Sequence, residues 1–416
     1  MLNQGRITRV TTKPLQAGLL EAKGARPALA GFFVSGLLLS FLGAILPAWG
    51  YHYTEKYIQV GNYFVAFNGG LFLTNRIAEW LLIRVGIRWC LIASCMASCA
   101  ALLELAWFSP PYSAAWRMLG LVVLGGGAGL LHSAIFQAIG PIYRHDRAAT
   151  VNIAGIFFGL GCLAMALLVA GTYYVYDVPT ILMILAAIPG LFALAYGRTA
   201  YDAPVIKPPS TSDLLADFRS PMAIQFGILL LVQFANEWSI AGWLAIFVTQ
   251  RLGINPSTSL FYLALYWVSL LVGRIAAQRV LPATGHGKIL FAGAGAALLG
   301  CAILSLTDNR FGIVSGILFL GIGFAPVYPL IVEQIGDRFP YYDPVFYHGI
   351  FSLAFTGALL APAGLGYLAD AFGVRWIMAA PLVGSTIVFF LLLMLMIESK
   401  LAQRGSRTIL PSANKG

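Results

Sequence analysis

The sequence predicts an all-α membrane protein: twelve transmembrane helices forming two pseudo-symmetric six-helix bundles, with both termini inside. Three observations predict it. Of the 416 residues, 59% are hydrophobic and only 10% charged, and mean hydropathy is +0.82. A soluble domain carries about 25% charged residues, so water cannot be the main solvent of this surface. Second, roughly 20 apolar residues cross a bilayer as a helix, and twelve such stretches are centred near residues 38, 70, 98, 129, 160, 188, 236, 269, 298, 324, 357 and 386. Third, the second half repeats the first at a slowly drifting offset. Arg76-Ile77-Ala78 returns as Arg274-Ile275-Ala276, 198 positions on. Leu124-Gly125-x-Gly127 returns as Leu320-Gly321-x-Gly323 and Ile139-Gly140 as Ile335-Gly336, both at 196, and Gly155-Ile156-Phe157 as Gly349-Ile350-Phe351 at 194. A duplicated half with small loop indels leaves this trace, and in so apolar a chain it points to paired bundles around a midplane site.

The placement of basic residues sets the orientation. The formal net charge is +10, but the Lys and Arg residues are not gathered into a patch. With both termini inside, the inner segments hold 19 of the 26, and the outer loops hold five: Lys56, Arg117, Arg251, Arg310 and Arg375. Arg76 and Arg274 lie within helices. The positive-inside rule then gives an even number of spans. This basic balance is a topology signal that contacts anionic lipid, and it excludes a nucleic-acid partner.

Residues 1–26 read as a polar, basic cytoplasmic tail, and 27–197 as the first bundle. The first apolar run has no small-residue cleavage site after it and is too long for a signal segment, so it is expected to be a retained helix. In the second span, Asn68, Phe72, Asn75 and Glu79 share one face, with Arg76 beside it. Arg76 and its repeat, Arg274 in the eighth span, sit in the cytoplasmic third, where long side chains snorkel. Both are expected to gate the cytoplasmic side, Arg76 by pairing with Glu79 or helix ends. In the third span, Glu104 is placed at the outer interface. The five cysteines (Cys90, Cys95, Cys99, Cys162 and Cys301) lack metal or CxxC spacing and read as core. The fourth span is crowded with glycine and carries His132 near its middle, which is able to exchange protons between pH 5 and 8. Asn152 in the fifth span is a weaker polar candidate.

Residues 198–220, with Pro204, Pro208 and Pro209 among mixed charges, read as the cytoplasmic linker. Residues 221–397 form the second bundle, and 398–416 a second cytoplasmic tail. The seventh span holds the best-placed ionisable group, Glu237, near its midpoint. A charge at the bilayer centre costs on the order of 2.5–3.5 kcal/mol, so such groups face protein or a wet cavity. Gln233 and Asn236 lie within about 100° of it on a helix, making a polar stripe. One reading is a substrate surface with a proton site; the other is an inter-helix hydrogen bond. Trp238, Trp243, Tyr262, Tyr266 and Trp267 offer ring faces for stacking, with Trp243 and Tyr266 best placed, although aromatic residues also serve packing. In the tenth span, Tyr328 repeats His132 and is a binding candidate, while Glu333 at the inner end reads as a gate residue. In the eleventh, His348 reads the same way, and Ser352 and Thr356 supply hydroxyls on its face.

Two motifs carry a family resemblance. The eleventh span ends in Pro362-x-x-x-Gly366-Tyr-Leu-Ala-Asp370-x-x-Gly373-Val-Arg375, and the loop after the second span reads Arg84-Val-Gly86-Ile-Arg88. The chain resembles the major facilitator superfamily over all twelve spans, although Ile83 and Glu79 stand where the loop motif expects aspartate and glycine. A narrower resemblance, to the fucose-permease-like branch, rests on Gly43-Ala44-Ile45-Leu46-Pro47 and Asn236-Glu237-Trp238 through Gly242-Trp243-Leu244. The resemblance implies the two-bundle fold, a gating role for Asp370, and proton-coupled movement of a solute by alternating access. Unlike sugar–proton symporters of this kind, the first span carries no carboxylate, and the fourth offers His132 instead.

The expectation is therefore a multi-pass integral protein of the plasma (bacterial inner) membrane, and not an enzyme. Nucleophile-elbow, phosphate-loop and His-Glu-x-x-His motifs are absent, and no cofactor or metal is expected. The partners are a small polar solute such as a sugar, protons as coupling ion through Glu237 and His132, and lipid, with the protein acting as a monomer. Proton-driven export of amphipathic compounds is the alternative.

Overall fold

The computed structural model describes residues 24–54, 56–145, 147–201, 220–339 and 350–408, except that the side chains of 25, 141, 143–145, 147–149, 337, 350–352 and 399–408 are not described. The predicted linker and the first tail lie almost wholly outside these residues, while the backbone of 398–408 in the predicted second tail continues the last helix. The described residues form helices. The first span is α1 (Ala25–Leu39) and α2 (Phe41–Ala48); α3 (Tyr57–Val85), α4 (Ile87–Trp107), α5 (Ala114–His145), α6 (Arg147–Thr172) and α7 (Val178–Gly197) complete the first half. The second half is α8 (Pro221–Leu252), α9 (Pro256–Thr284), α10 (His286–Leu306), a tenth span broken into α11 (Arg310–Phe324) and α12 (Val327–Arg338), α13 (Ile350–Phe372), and α14 (Ala379–Thr408) preceded by a 3-10 turn.

Among the described residues, eleven of the spans are long and apolar enough to cross a membrane. The other, α3, is 29 residues long but carries Asn62, Asn68, Asn75, Arg76 and Glu79, which lower its hydropathy. Several helices start where the sequence caps them. The side chains of Asp177, Asn255 and Asn309 accept hydrogen bonds from the backbone N–H groups of Thr180, Thr258 and Gly312, which satisfies first-turn donors. Pro326 cannot donate a backbone bond and marks the break between α11 and α12, next to Tyr328.

The sequence repeat is mirrored in packing. α1 packs on α6 as α8 packs on α13; α3 on α5 as α9 on α11; α4 on α5 as α10 on α11; and α4 on α7 as α10 on α14. The halves meet chiefly along two seams, α3 with α13 and α6 with α9, with a smaller contact of α2 on α8. Glycines allow these approaches: Gly161 lies against the Phe33 backbone and Gly357 against that of Leu231, at matching places in the two halves. The loop arginines are held by protein. Arg88 donates to the Gly197 carbonyl at the end of α7, and Arg84 lies over Trp80 at 4.4 Å. Glu104, expected at the interface, instead has both carboxyl oxygens buried and without partners, turned onto Gly120 of α5.

Candidate functional site

A cavity of about 160 Å³ lies between the halves, lined from α1–α3, α5, α6, α8, α9, α12 and α13. Above it the outer ends are closed. Gly43 of α2 lies against the Ala241 carbonyl of α8, and Phe64 stacks on Trp243 at 6.0 Å between ring centroids. Tyr57 donates to Gln250 at 2.8 Å, Tyr367 to Asn62 at 2.6 Å, and Ser257 to the Ala170 carbonyl at 2.9 Å. Each of these contacts joins one half to the other.

The polar groups facing the cavity come from both halves. Glu237 lines it and accepts a 2.8 Å bond from the Gln233 amide one turn earlier. His132 lines it from α5, with Nδ1 2.9 Å from the Ser35 hydroxyl and its ring edge-on to Phe136 at 4.8 Å. Tyr328, its repeat counterpart, lines the same cavity from the other half and packs edge-on against Phe234 at 5.1 Å. Asn68 is present too, but its amide donates to the Leu359 carbonyl across the α3–α13 seam at 2.6 Å. Asn75, Asn152 and Ser40 line the cavity too. The walls are largely aromatic: Phe32, Phe67, Phe136, Phe158 and Trp238.

Several expectations are corrected. Trp243 is fully buried in the outer closure, its indole N–H donating to the Pro362 carbonyl at 2.8 Å, so it packs and does not line the cavity. Tyr266 is also fully buried, against Trp267, outside the lining. Asn236 turns the other way around α8 and rests on Gly384 of α14, while Gln233 reaches the site only through Glu237. Thr356 is off the lining, where its neighbour Phe355 stands. His348 lies outside the described residues, as does the side chain of Ser352.

The arginine pair divides. Arg274, expected as a gate residue, lines the cavity and donates from Nη1 to the Gly155 carbonyl at 2.8 Å. Its electrostatic reach includes Glu237. Arg76 is exposed, lies over Phe72 at 5.3 Å and forms no ion pair with Glu79 among the described residues. Glu333 pairs with His286 at 3.1 Å, which ties α12 to α10 within one half and leaves the seam between halves untouched. Asp370 is exposed at the outer end of α13.

The sequence profile of the Major Facilitator Superfamily matches residues 28–358. The chain belongs to this superfamily. It is a multi-pass membrane transporter, not an enzyme, and it resembles the fucose-permease branch. An uncharacterized MFS-type transporter of Yersinia pestis is 22% identical over 371 residues, spanning 87% of this chain and 92% of the relative. Among solved structures, the nucleoside transporter NupG superimposes with a TM-score of 0.66 at 14% identity, over 89% of this chain and 99% of that one. The E. coli fucose:proton symporter FucP does so with a TM-score of 0.60 at 17% identity, over 89% and 98%. At these identities the likeness to NupG and FucP is one of fold.

Proposed function

We propose that this superfamily member is a proton-coupled importer of a small, polar, sugar-like solute, working by rocking residues 27–197 against residues 221–397 with 198–220 as the tether. The observation that carries the proposal is Glu237. It is an ionisable group at membrane depth, lining a cavity between the halves, and its described hydrogen bond is to a neutral amide. Protonation removes its charge, so the occupied carrier reorients with less polar desolvation. His132 and Tyr328 hold symmetry-related places and supply hydrogen bonds to the solute, and the aromatic walls supply ring faces. The likeness to a fucose:proton symporter supports the same reading.

The test is uptake into vesicles of purified protein under an imposed pH gradient. Glu237→Gln is expected to abolish accumulation against a gradient while part of solute exchange survives. A variant that still concentrates solute as the parent does removes Glu237 from the coupling step. A second reading, proton-driven export of amphipathic compounds, draws on the phenyl groups of Phe32, Phe136 and Phe158. It predicts solute movement opposite to the proton in the same vesicles.

A further inference from the structure

The cavity also holds a cation that no carboxylate among the described residues pairs with directly. Arg274 lines it, spends Nη1 on the Gly155 carbonyl, and leaves Nε buried with no partner. Among the described residues it forms no ion pair. Glu237 lines the same cavity, yet its carboxyl takes the Gln233 amide and not the guanidinium. A second unspent donor is Asn75. Its Oδ1 accepts from the Ser133 hydroxyl at 2.8 Å, while its Nδ2 is buried and unpartnered. Buried donors are nearly always satisfied, so two unspent donors on residues that line one cavity point to acceptor oxygens on the solute.

The charges narrow the solute further. With Glu237 ionised, carboxylate and guanidinium sum to zero; with a proton on Glu237, the cavity carries one positive charge. Among the described residues, the other titratable groups around this pair are Tyr266 of α9, Tyr328 of α12, Cys162 of α6, Cys301 of α10 and His132 of α5. The described residues that line the cavity from α1, α2, α3 and α13 add no charged side chain. A solute with one negative charge, entering with the proton, restores neutrality. The guanidinium fork suits a carboxylate better than a hydroxyl, and the aromatic walls suit a ring.

Resting on the transporter reading above, we propose that the solute is a ring-bearing monocarboxylate. Its carboxylate binds Arg274, a second oxygen meets Asn75, and it is carried together with the proton on Glu237. The anion and the proton cross together, so each turnover moves no net charge.

The test uses full-length protein in vesicles with two probe acids, galacturonate and 4-hydroxybenzoate, their methyl esters, and galactose. At least one acid is expected to accumulate under an inward pH gradient, to compete at least tenfold better than its ester, and to respond to pH but not to an imposed potential. Arg274→Gln should weaken that acid at least tenfold and remove its advantage over the ester, with Arg274→Lys recovering part of the loss. If Arg274→Gln does not fold, the acid–ester comparison and the potential clamp on the parent protein decide alone. Neither acid outcompeting its ester, or uptake driven by potential, overturns the proposal. Galactose accumulating where the acids do not would leave the importer reading standing and end this one. Gradient-driven movement of none of the probes would end both.

Discussion

Gly43 and the Ala241 carbonyl oxygen meet where α2 of one half touches α8 of the other, and a methyl group at Gly43 would overlap that oxygen. Neither side can retreat, because both are helix backbone. Gly43→Ala therefore overpacks the closed outer face and leaves untouched a state in which the halves part there. Overpacking of this kind costs about 1–3 kcal/mol, which shifts a two-state equilibrium by about 5–150-fold. The assay follows Ala363→Cys, a buried position on the neighbouring α3–α13 seam, with an impermeant maleimide added outside. Its labelling rate tracks the fraction of molecules open outward and is expected to rise by that factor. Gly69→Ala is the control, since nothing lies within 4 Å of a methyl group there. If Gly43→Ala labels no faster than the parent and the control, the outer contact does not report the transport cycle and the assignment of closure is wrong.

Three further outcomes follow from particular contacts. Arg117→Gln loses the bonds its guanidinium donates to the Tyr63 hydroxyl at 2.9 Å and the Tyr112 carbonyl at 2.7 Å; at about 1.5–3 kcal/mol for a charged hydrogen bond, detergent-solubilised protein should melt earlier, and Arg117→Lys should restore only part. Trp243→Phe keeps the ring against Phe64 but strands the Pro362 carbonyl, a loss of about 1–3 kcal/mol visible in the same melt, while the affinity for solute measured by binding stays unchanged. Glu333→Gln breaks a half-exposed pair with His286 of the kind worth about 0–1 kcal/mol, so uptake should stay within about twofold of the parent; a larger loss would return Glu333 to the gate.

The spans were legible because a bilayer leaves little choice: a backbone segment crosses as roughly 20 apolar residues in a helix. α3 was legible despite its polar face because the repeat demands a counterpart to α9. The sequence pattern also picked out Glu237, His132, Tyr328 and Asn68, all of which line the cavity. What hydropathy does not encode is which way a residue turns once every face of its helix is covered. α8 is nearly surrounded, so Asn236, one residue from Glu237, ends on Gly384 of α14, and Trp243 ends in the outer closure. The aromatic walls were hidden for a related reason. Phe32, Phe136 and Phe158 look like core in a chain that is 59% hydrophobic, and only the shape of the packed bundles separates cavity from core.

Arg274 shows how far an identical sequence can diverge in role. Arg-Ile-Ala occurs at the same place in both halves, so local propensity and depth assign both arginines the same position. Their surroundings do not. Across the α6–α9 seam, Gly155 presents a carbonyl with no side chain in front of it, and a methyl group there would come within 2.7 Å of the guanidinium. Arg274 is thereby drawn toward the cavity, whereas Arg76 stays exposed over its own Phe72. Among the described residues, the two charged groups lining the cavity, Glu237 and Arg274, thus both belong to the second half, while the first contributes His132, Asn68, Asn75, Asn152 and Ser40. On the proposed mechanism this placement keeps the separation of the two charges fixed as the halves move. Charges split between the halves would change their mutual energy with every reorientation, loaded or not. Duplication supplied a symmetric frame, and the charged chemistry settled on one side of it.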